Sequence, residues 1–392
     1  MPRPPELSAR AVGLKPSLTL AIGAQAKALQ QAGRDICSLS AGEPDFDTPD
    51  FIVEATRQAL RDGITRYGPA AGDPELRAAV AEKLSSGNGI ATTPEQVLIT
   101  NGGKQAIYNL FQVLLNPGDE VLLPAPYWLS YPEMAALAGA KVKLIPTHAE
   151  EGFRLDLTDV EAAISPRSRL LVLNSPGNPT GRVMKRQELE DVAELVRRHP
   201  QLLVMSDEIY EFLLAEGEQH HSFAAIAPDL ADRCFTVNGF AKGWAMTGWR
   251  LGYLAGHQDV IKAAAALQSQ STSNVCSFAQ RGALAAIQGP RDCVSAMAES
   301  YNRRRQLLTE GLKTIEGITL VEPRGAFYAF PQLPESAGGS MDFCRRALEQ
   351  AGLAVVPGLA FGNSRCIRLS CAVSRETIRD GLSRLSQLLD ET

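Results

Sequence analysis

Residues 96–115 read QVLITNGGKQAIYNLFQVLL. A short run of aliphatic and β-branched residues breaks at Asn101-Gly102-Gly103. Beyond the break, apolar side chains recur at helical spacing. The expected structure is a strand, a glycine turn and a helix over 104–115, the unit from which parallel sheets are assembled.

The same alternation continues along the chain. EVLLP (120–124), KVKLIP (141–146), RLLVLN (169–174), LLVMS (202–206), CFTVN (234–238) and GYLAG (252–256) read as buried strands, while 186–198 and 260–266 read as helical. This predicts an α/β fold with a mostly parallel, doubly wound sheet. Ligands of such sheets gather at the carboxyl ends of the strands. Four of the runs end there in unusual residues: Asn101-Gly102-Gly103-Lys104, Ser175-Pro176-Gly177-Asn178-Pro179, Asp207-Glu208-Ile209-Tyr210, and Gly239 with Lys242.

The chain has 392 residues, beyond the roughly 250–300 at which one core stops growing, so two domains are expected. After about residue 290 the pattern changes to a long charged helix containing AESYNRRRQLLTEGL (298–312). Short strands around GAFYAFP (325–331) and CIRLSC (366–371) follow, then a final helix over 377–389. The expected division is an N-terminal arm with part of the small domain (1–49), a large α/β domain (50–290) and a small C-terminal α+β domain (291–392).

Composition excludes several classes. A formal net charge of −5, without long single-sign blocks, argues against nucleic acid as a partner. No apolar run approaches the ~18 residues of a membrane span. The opening MPRPPELSAR lacks the apolar stretch of a secretory signal, which points to the cytoplasm. Seven cysteines are scattered without close pairs, so neither a disulfide framework nor a zinc or other metal site is expected. His220 and His221 read as a polar pair on a surface loop.

Lys242 lies in FAKGW (240–244), on a glycine-bordered loop where a Schiff-base lysine would sit, with Arg250 eight residues on. Gly102 and Gly103 precede a helix, whose free N–H groups and positive end suit a phosphate, with Lys242 and Arg250 as nearby cations. Asp207 ends an apolar strand, where a carboxylate needs a cationic partner such as a pyridinium nitrogen. Tyr210 and Asn178 are donors for a phenolate oxygen, and Trp128 offers a flat face to an aromatic ring. Arg368, inside CIRLSC, has the planar fork that pairs with a substrate carboxylate, or else with a nearby acid.

Together these residues describe a site for a phosphorylated aromatic aldehyde and a carboxylate substrate. SAGEPDF, YGPAAGDPELR, GGKQAIYNL, PYWLSYPEM, NSPGNPTG, SDEIYE, AMTGWRLGYLAG and CIRLS occur in family order from residue 40 to 370. In these the chain resembles the class I aminotransferases of pyridoxal 5'-phosphate fold type I. It is most similar to the bacterial aspartate aminotransferases of the Ib subgroup, some of which also accept prephenate.

The resemblance implies a ping-pong transamination between aspartate or glutamate and 2-oxo acids. Lys242 would anchor the cofactor and carry the proton, Asp207 would keep the ring nitrogen protonated, and Asn178 and Tyr210 would bind the 3'-oxygen. Gly103, Lys104 and Arg250 would hold the phosphate with Tyr67 of a partner subunit, implying a homodimer with shared sites. Trp128 would stack on the ring. Arg368 would clamp the α-carboxylate with Asn178 and the Gly42 backbone, while Lys104 and Lys15 would face the distal carboxylate.

One departure is Gly239, three residues before the lysine, where many relatives carry a serine that donates to the phosphate. Aromatic, alanine or glutamine aminotransferases and carbon–sulfur lyases share the fold as alternatives. A non-catalytic regulator of this fold would carry a preceding DNA-binding segment, for which the residues before SAGEPDF leave no room.

Overall fold

The computed structural model describes residues 5–14, 16 and 18–391. After a two-residue strand, β1 (Cys37–Ser38), seven strands form one sheet: β2 (Val97–Thr100), β3 (Glu120–Ala125), β4 (Lys141–Pro146), β5 (Ser168–Asn174), β6 (Leu203–Asp207), β7 (Cys234–Gly239) and β8 (Gly252–Ala255). Their order across the sheet is β2-β8-β7-β6-β5-β3-β4. Pairings from β4 through β3, β5 and β6 to β7 are parallel. Strand β8 runs antiparallel to both its neighbours.

The β8 direction follows from its connection. Residues 240–251 link β7 to β8 without a helix, and a parallel return needs a crossover of roughly a dozen residues or more, usually helical. The chain therefore doubles back, and the loop that makes the turn carries Lys242 and Arg250.

Alternation along the strands divides the interior. Leu171, Leu173 and Val204 join one core, whereas Leu170, Val172, Leu203 and Met205 join another on the opposite face. Both faces are covered, so the central strands are apolar on both sides. The helix Gly103–Leu114 buries Ala106, Ile107, Leu110, Phe111 and Leu114, a stripe one helix face wide. Each large apolar side chain so buried contributes about 1.5–3 kcal/mol.

The expectation of a buried strand fails for KVKLIP. Among the described residues strand β4 pairs only with β3 and forms the sheet edge, with Lys141 and Pro146 exposed and Leu144 52% exposed. Charge and proline on an edge strand discourage pairing with another sheet.

A further core gathers Cys37 and Leu39 with Tyr301, Leu308, Phe327, Leu353, Ile367 and Leu385. Its strands are β9 (Tyr328–Ala329), β10 (Leu353–Ala354), β11 (Val356–Pro357) and β12 (Ile367–Ser370). β12 lies antiparallel between β11 and β9. β1 pairs in parallel with β10, which ties the segment before residue 50 to the C-terminal part of the chain. The long helix Asp292–Lys313 packs against Arg375–Asp390 beside these strands. Among the described residues no helix is long and apolar enough to cross a membrane.

Candidate active site

A cleft of about 420 Å³ opens where the carboxyl ends of the sheet strands meet β9, β12 and the segment after β1. It is lined by Gly103, Lys104, Trp128, Asn178, Asp207, Tyr210, Lys242 and Arg250 from the sheet side. Gly42, Tyr328 and Arg368 line it from the other. Lys15 lies outside the described residues. Tyr67 is 92% exposed and is not part of the cleft of its own chain.

Asp207, the last residue of β6, is buried at the cleft floor. Its Oδ2 accepts a hydrogen bond from Tyr131 Oη at 2.7 Å, and its Oδ1 accepts from the Ile209 amide at 3.3 Å. Burial pushes its pKa up to about 6, with those two donors pulling the other way. Tyr210, three residues on, shares a hydrogen bond of 2.9 Å with Tyr328 between their hydroxyls.

Lys242 is half-buried, and its ammonium group donates to the Gly42 carbonyl. It sits 5.6 Å from the Tyr210 ring centre and 5.4 Å from that of Phe327. Desolvation, helped by the charges of Arg368 and Arg250, lowers its pKa to about 7. At neutral pH a large share of this amine is therefore unprotonated, the form that attacks carbonyls and accepts protons.

The phosphate-type cradle is built by close backbone approach. Gly102 has a φ of +79°, and a Cβ there would meet Arg250 Nη2 at 2.5 Å. Glycine alone lets the guanidinium lie against the start of the 103–114 helix. Arg250 is held by donating to the carbonyls of Thr247 (2.9 Å) and Asn101 (3.3 Å). Lys104 stands 5.0 Å from the Trp128 ring centre, and burial and then Arg250 lower its pKa.

Gly239 has a packing cause. It pairs with Gly252 across β7 and β8, and a Cβ on it would meet Gly252 Cα at 2.8 Å and the Leu251 carbonyl at 2.9 Å. A Cβ on Gly252 would in turn strike the Gly103 amide at 2.4 Å. The missing serine hydroxyl follows from this glycine-to-glycine seam beneath the helix start.

Arg368 is 3% exposed. Its Nη1 donates to Asn178 Oδ1 at 3.2 Å and its Nη2 to the Ser40 carbonyl at 3.1 Å. The guanidinium lies 4.4 Å from the Tyr328 ring centre and 5.1 Å from that of Phe361. Its Nε has no partner in the structure, and among the described residues no carboxylate forms an ion pair with it. Of the two sequence readings, the salt bridge to an acid is not formed among the described residues, and the guanidinium lines the cleft.

Sequence reasoning missed Tyr131, Tyr328 and Glu43, the last of which lines the cleft and accepts from Thr247 Oγ1 at 2.7 Å. Tyr131 had a legible signal, since it follows Trp128 at helical spacing within PYWLSYPEM. The two rings meet edge to face at 5.3 Å. The surface-loop reading is corrected for His220, whose side chain is only 10% exposed because its Nε2 sits 3.1 Å from the buried Glu208 carboxylate.

Fold and site thus bring a buried guanidinium, a lysine of lowered pKa and a glycine-lined helix start to one cleft. The chain belongs to the class I and II aminotransferases, whose family model matches residues 34–385. It is a fold type I enzyme with pyridoxal 5'-phosphate as its cofactor.

Among its relatives is the aspartate/prephenate aminotransferase of Thermus thermophilus, 48% identical over 386 residues, covering 98% of each chain. A bifunctional aspartate aminotransferase and glutamate/aspartate-prephenate aminotransferase of Petunia hybrida is 48% identical over 396 residues, covering 98% of this chain and 82% of the relative. The solved structure of the Thermus thermophilus aspartate aminotransferase with maleate superposes with a TM-score of 0.94. It is 46% identical and covers 98% of this chain and 100% of that one.

Proposed function

We propose that this aminotransferase moves the amino group of aspartate or glutamate to a 2-oxo acid, with prephenate among its acceptors. The observation that carries the reading is Arg368, a buried guanidinium without an acid partner among the described residues, lining the same cleft as Lys242. A buried cation is costly unless paired, and a substrate α-carboxylate supplies the pairing. Lys104 at the same cleft suits a distal carboxylate, and the relatives named for aspartate and prephenate agree with that choice.

The residues present fit the cofactor. Asp207 is a buried carboxylate without a salt-bridge cation among the described residues, matched to a protonated ring nitrogen. Arg250 and the start of the 103–114 helix match a phosphate, Trp128 a ring face, and Asn178 and Tyr210 a phenolic oxygen. When bound, pyridoxal 5'-phosphate supplies a conjugated ring that draws electrons from the substrate Cα.

The chain does the rest. Arg368 and Asn178, with the Gly42 backbone, orient the α-carboxylate so that the Cα–H bond faces Lys242. Lys242, whose lowered pKa suits it to accept a proton, would take that proton and later give it back, and Asp207 would keep the ring nitrogen of the bound cofactor protonated. Water would release the first oxo acid while the loaded enzyme keeps the amino group, and a second oxo acid would collect that group by the reverse path, returning the water.

The exposure of Tyr67 supports a homodimer in which this side chain completes the phosphate site of the partner. Seven unpaired cysteines support a cytoplasmic location. The two sets of cores support an arm and small domain from 1–49 and 291–392 around a large domain from 50–290. The test is a set of half-reactions of the loaded enzyme with aspartate, glutamate, phenylalanine, alanine and arogenate, followed by absorbance. Fast conversion by aspartate and glutamate is expected. Conversion by alanine or phenylalanine alone would overturn the proposal.

A further inference from the structure

The stretch Ser206 to Glu211 has two faces. Asp207 and Tyr210 line the cleft, while Ser206, Glu208 and Glu211 turn away from it into a buried polar cluster that the reaction leaves unused. Glu208 accepts from Ser206 Oγ at 2.9 Å and from Ser222 Oγ at 2.6 Å, and its Oε2 lies 3.1 Å from His220 Nε2. Glu211 pairs with Lys83 and accepts from Asn88 Nδ2 at 2.8 Å. Lys83 also donates to Tyr253 Oη at 3.2 Å. Asn88 closes the circuit by donating to Ser222 Oγ at 3.1 Å.

The cluster joins the helix Pro74–Asn88, the end of β6, the loop at His220–Ser222 and strand β8. It holds two carboxylates and one lysine. Glu208, Glu211 and Lys83 together leave one negative charge out of water, one residue away from Asp207. Uncompensated charge in that position is expensive; a proton on His220 cancels it, at the lesser cost of a buried Nδ1 that has no hydrogen-bond partner among the described residues.

We infer that His220 is a positioning residue for the cofactor site: protonated in the folded enzyme, it neutralises Glu208 and so lets Asp207 stay charged at the floor of the cleft. The inference rests on the reading of the cleft as a pyridoxal 5'-phosphate site. The electrostatics agree in sign. Burial alone lowers the pKa of His220, but the bond to Glu208 and the charges of Glu208 and Glu211 outweigh it and the opposing charge of Lys83, so the net direction is upward. The neighbouring His221 is shifted down, by burial first and then by nearby cations. Glu208 is one of the groups that raise Asp207, behind the larger effect of burial.

Two measurements on the full chain test this. Histidine ring resonances followed against pH, in the cofactor-free protein, should show His220 titrating above the ordinary imidazole range of about 6.5. A midpoint at or below that range overturns the inference whether or not the cofactor binds. The second measurement is the pH midpoint of the bound cofactor's absorbance in wild type, His220→Gln, Glu208→Gln and the double variant.

Loss of the His220 charge makes the site more negative, which holds protons more tightly. The midpoint should therefore rise by about half a unit or more in His220→Gln and return toward wild type when Glu208→Gln is added. Equal midpoints in all four proteins, or a shift that persists in the double variant, would refute the electrostatic role. If His220→Gln does not fold, the histidine titration of the wild type decides alone, and a His220 midpoint at or below about 6.5 refutes the role. A wild type without cofactor absorbance would instead refute the pyridoxal reading, and the histidine titration would still decide the protonation of His220.

Discussion

Tyr131 Oη donates to Asp207 Oδ2 at 2.7 Å, so the carboxylate at the cleft floor is held from a helix three residues beyond Trp128. Hydrogen bonds to charged groups contribute about 1.5–3 kcal/mol. Replacing Tyr131 by Phe removes a donor that holds the Asp207 pKa down, so a value that burial already raises to about 6 should climb further. The acid limb of the pH profile of kcat/KM should move to higher pH, and cofactor affinity should fall by roughly 10- to 150-fold. An unmoved acid limb would show that Tyr131 merely fills space.

Arg368 separates function from stability. As a buried cation with no acid partner among the described residues, it contributes little to folding. Arg368→Met should leave Tm unchanged or raise it. The more conservative Arg368→Lys keeps charge but loses the bidentate fork, and kcat/KM for aspartate should drop by roughly 10- to 150-fold at about 1.5–3 kcal/mol. A large loss of Tm in Arg368→Met with full aspartate turnover would contradict the assignment.

Gly239 yields a prediction opposite in sign to the simplest sequence argument. Restoring a serine adds a phosphate donor on paper, yet its Cβ would sit 2.8 Å from Gly252 Cα, and the backbone of a paired strand cannot step aside. Overpacking of this kind costs about 1–3 kcal/mol. Gly239→Ser should unfold at lower denaturant and bind cofactor no more tightly. A variant with wild-type stability and tighter binding would mean that the seam can relax.

These cases show what was legible before the structure. Strand ends are conspicuous in sequence because a charged or glycine residue interrupts an apolar run, and so Asp207, Lys242 and Gly103 stood out. Tyr131 and Tyr328 did not, because an aromatic residue amid apolar neighbours reads as packing until its hydroxyl has a visible partner. KVKLIP has the composition of a central strand, and only the missing neighbour beyond β4 makes it an edge. His220 was misread because it pairs with the buried Glu208, while Ser222 ties its loop to Asn88 of the helix Pro74–Asn88, contacts that no local pattern encodes.

Lys242 supplies a pH dependence with a definite sign. Its pKa falls to about 7 in the folded chain, chiefly by desolvation, against about 10.4 for a free lysine. Between those values the unfolded chain holds the extra proton, so the stability of the cofactor-free protein rises with pH across that window. The cost of the buried charge is fully present below about pH 7 and is relieved as pH climbs toward that of free lysine. Lys242→Met removes the titrating group, so its stabilising effect relative to wild type should be largest below pH 7 and shrink steadily above it. The same ionisation governs capture of the cofactor, whose rate in wild type should rise through pH 7 as the neutral amine forms. Urea unfolding of both cofactor-free proteins from pH 6 to 10, with stopped-flow loading of the wild type, measures the two effects together. A stability difference that stays flat over that range would show that the amine is not desolvated.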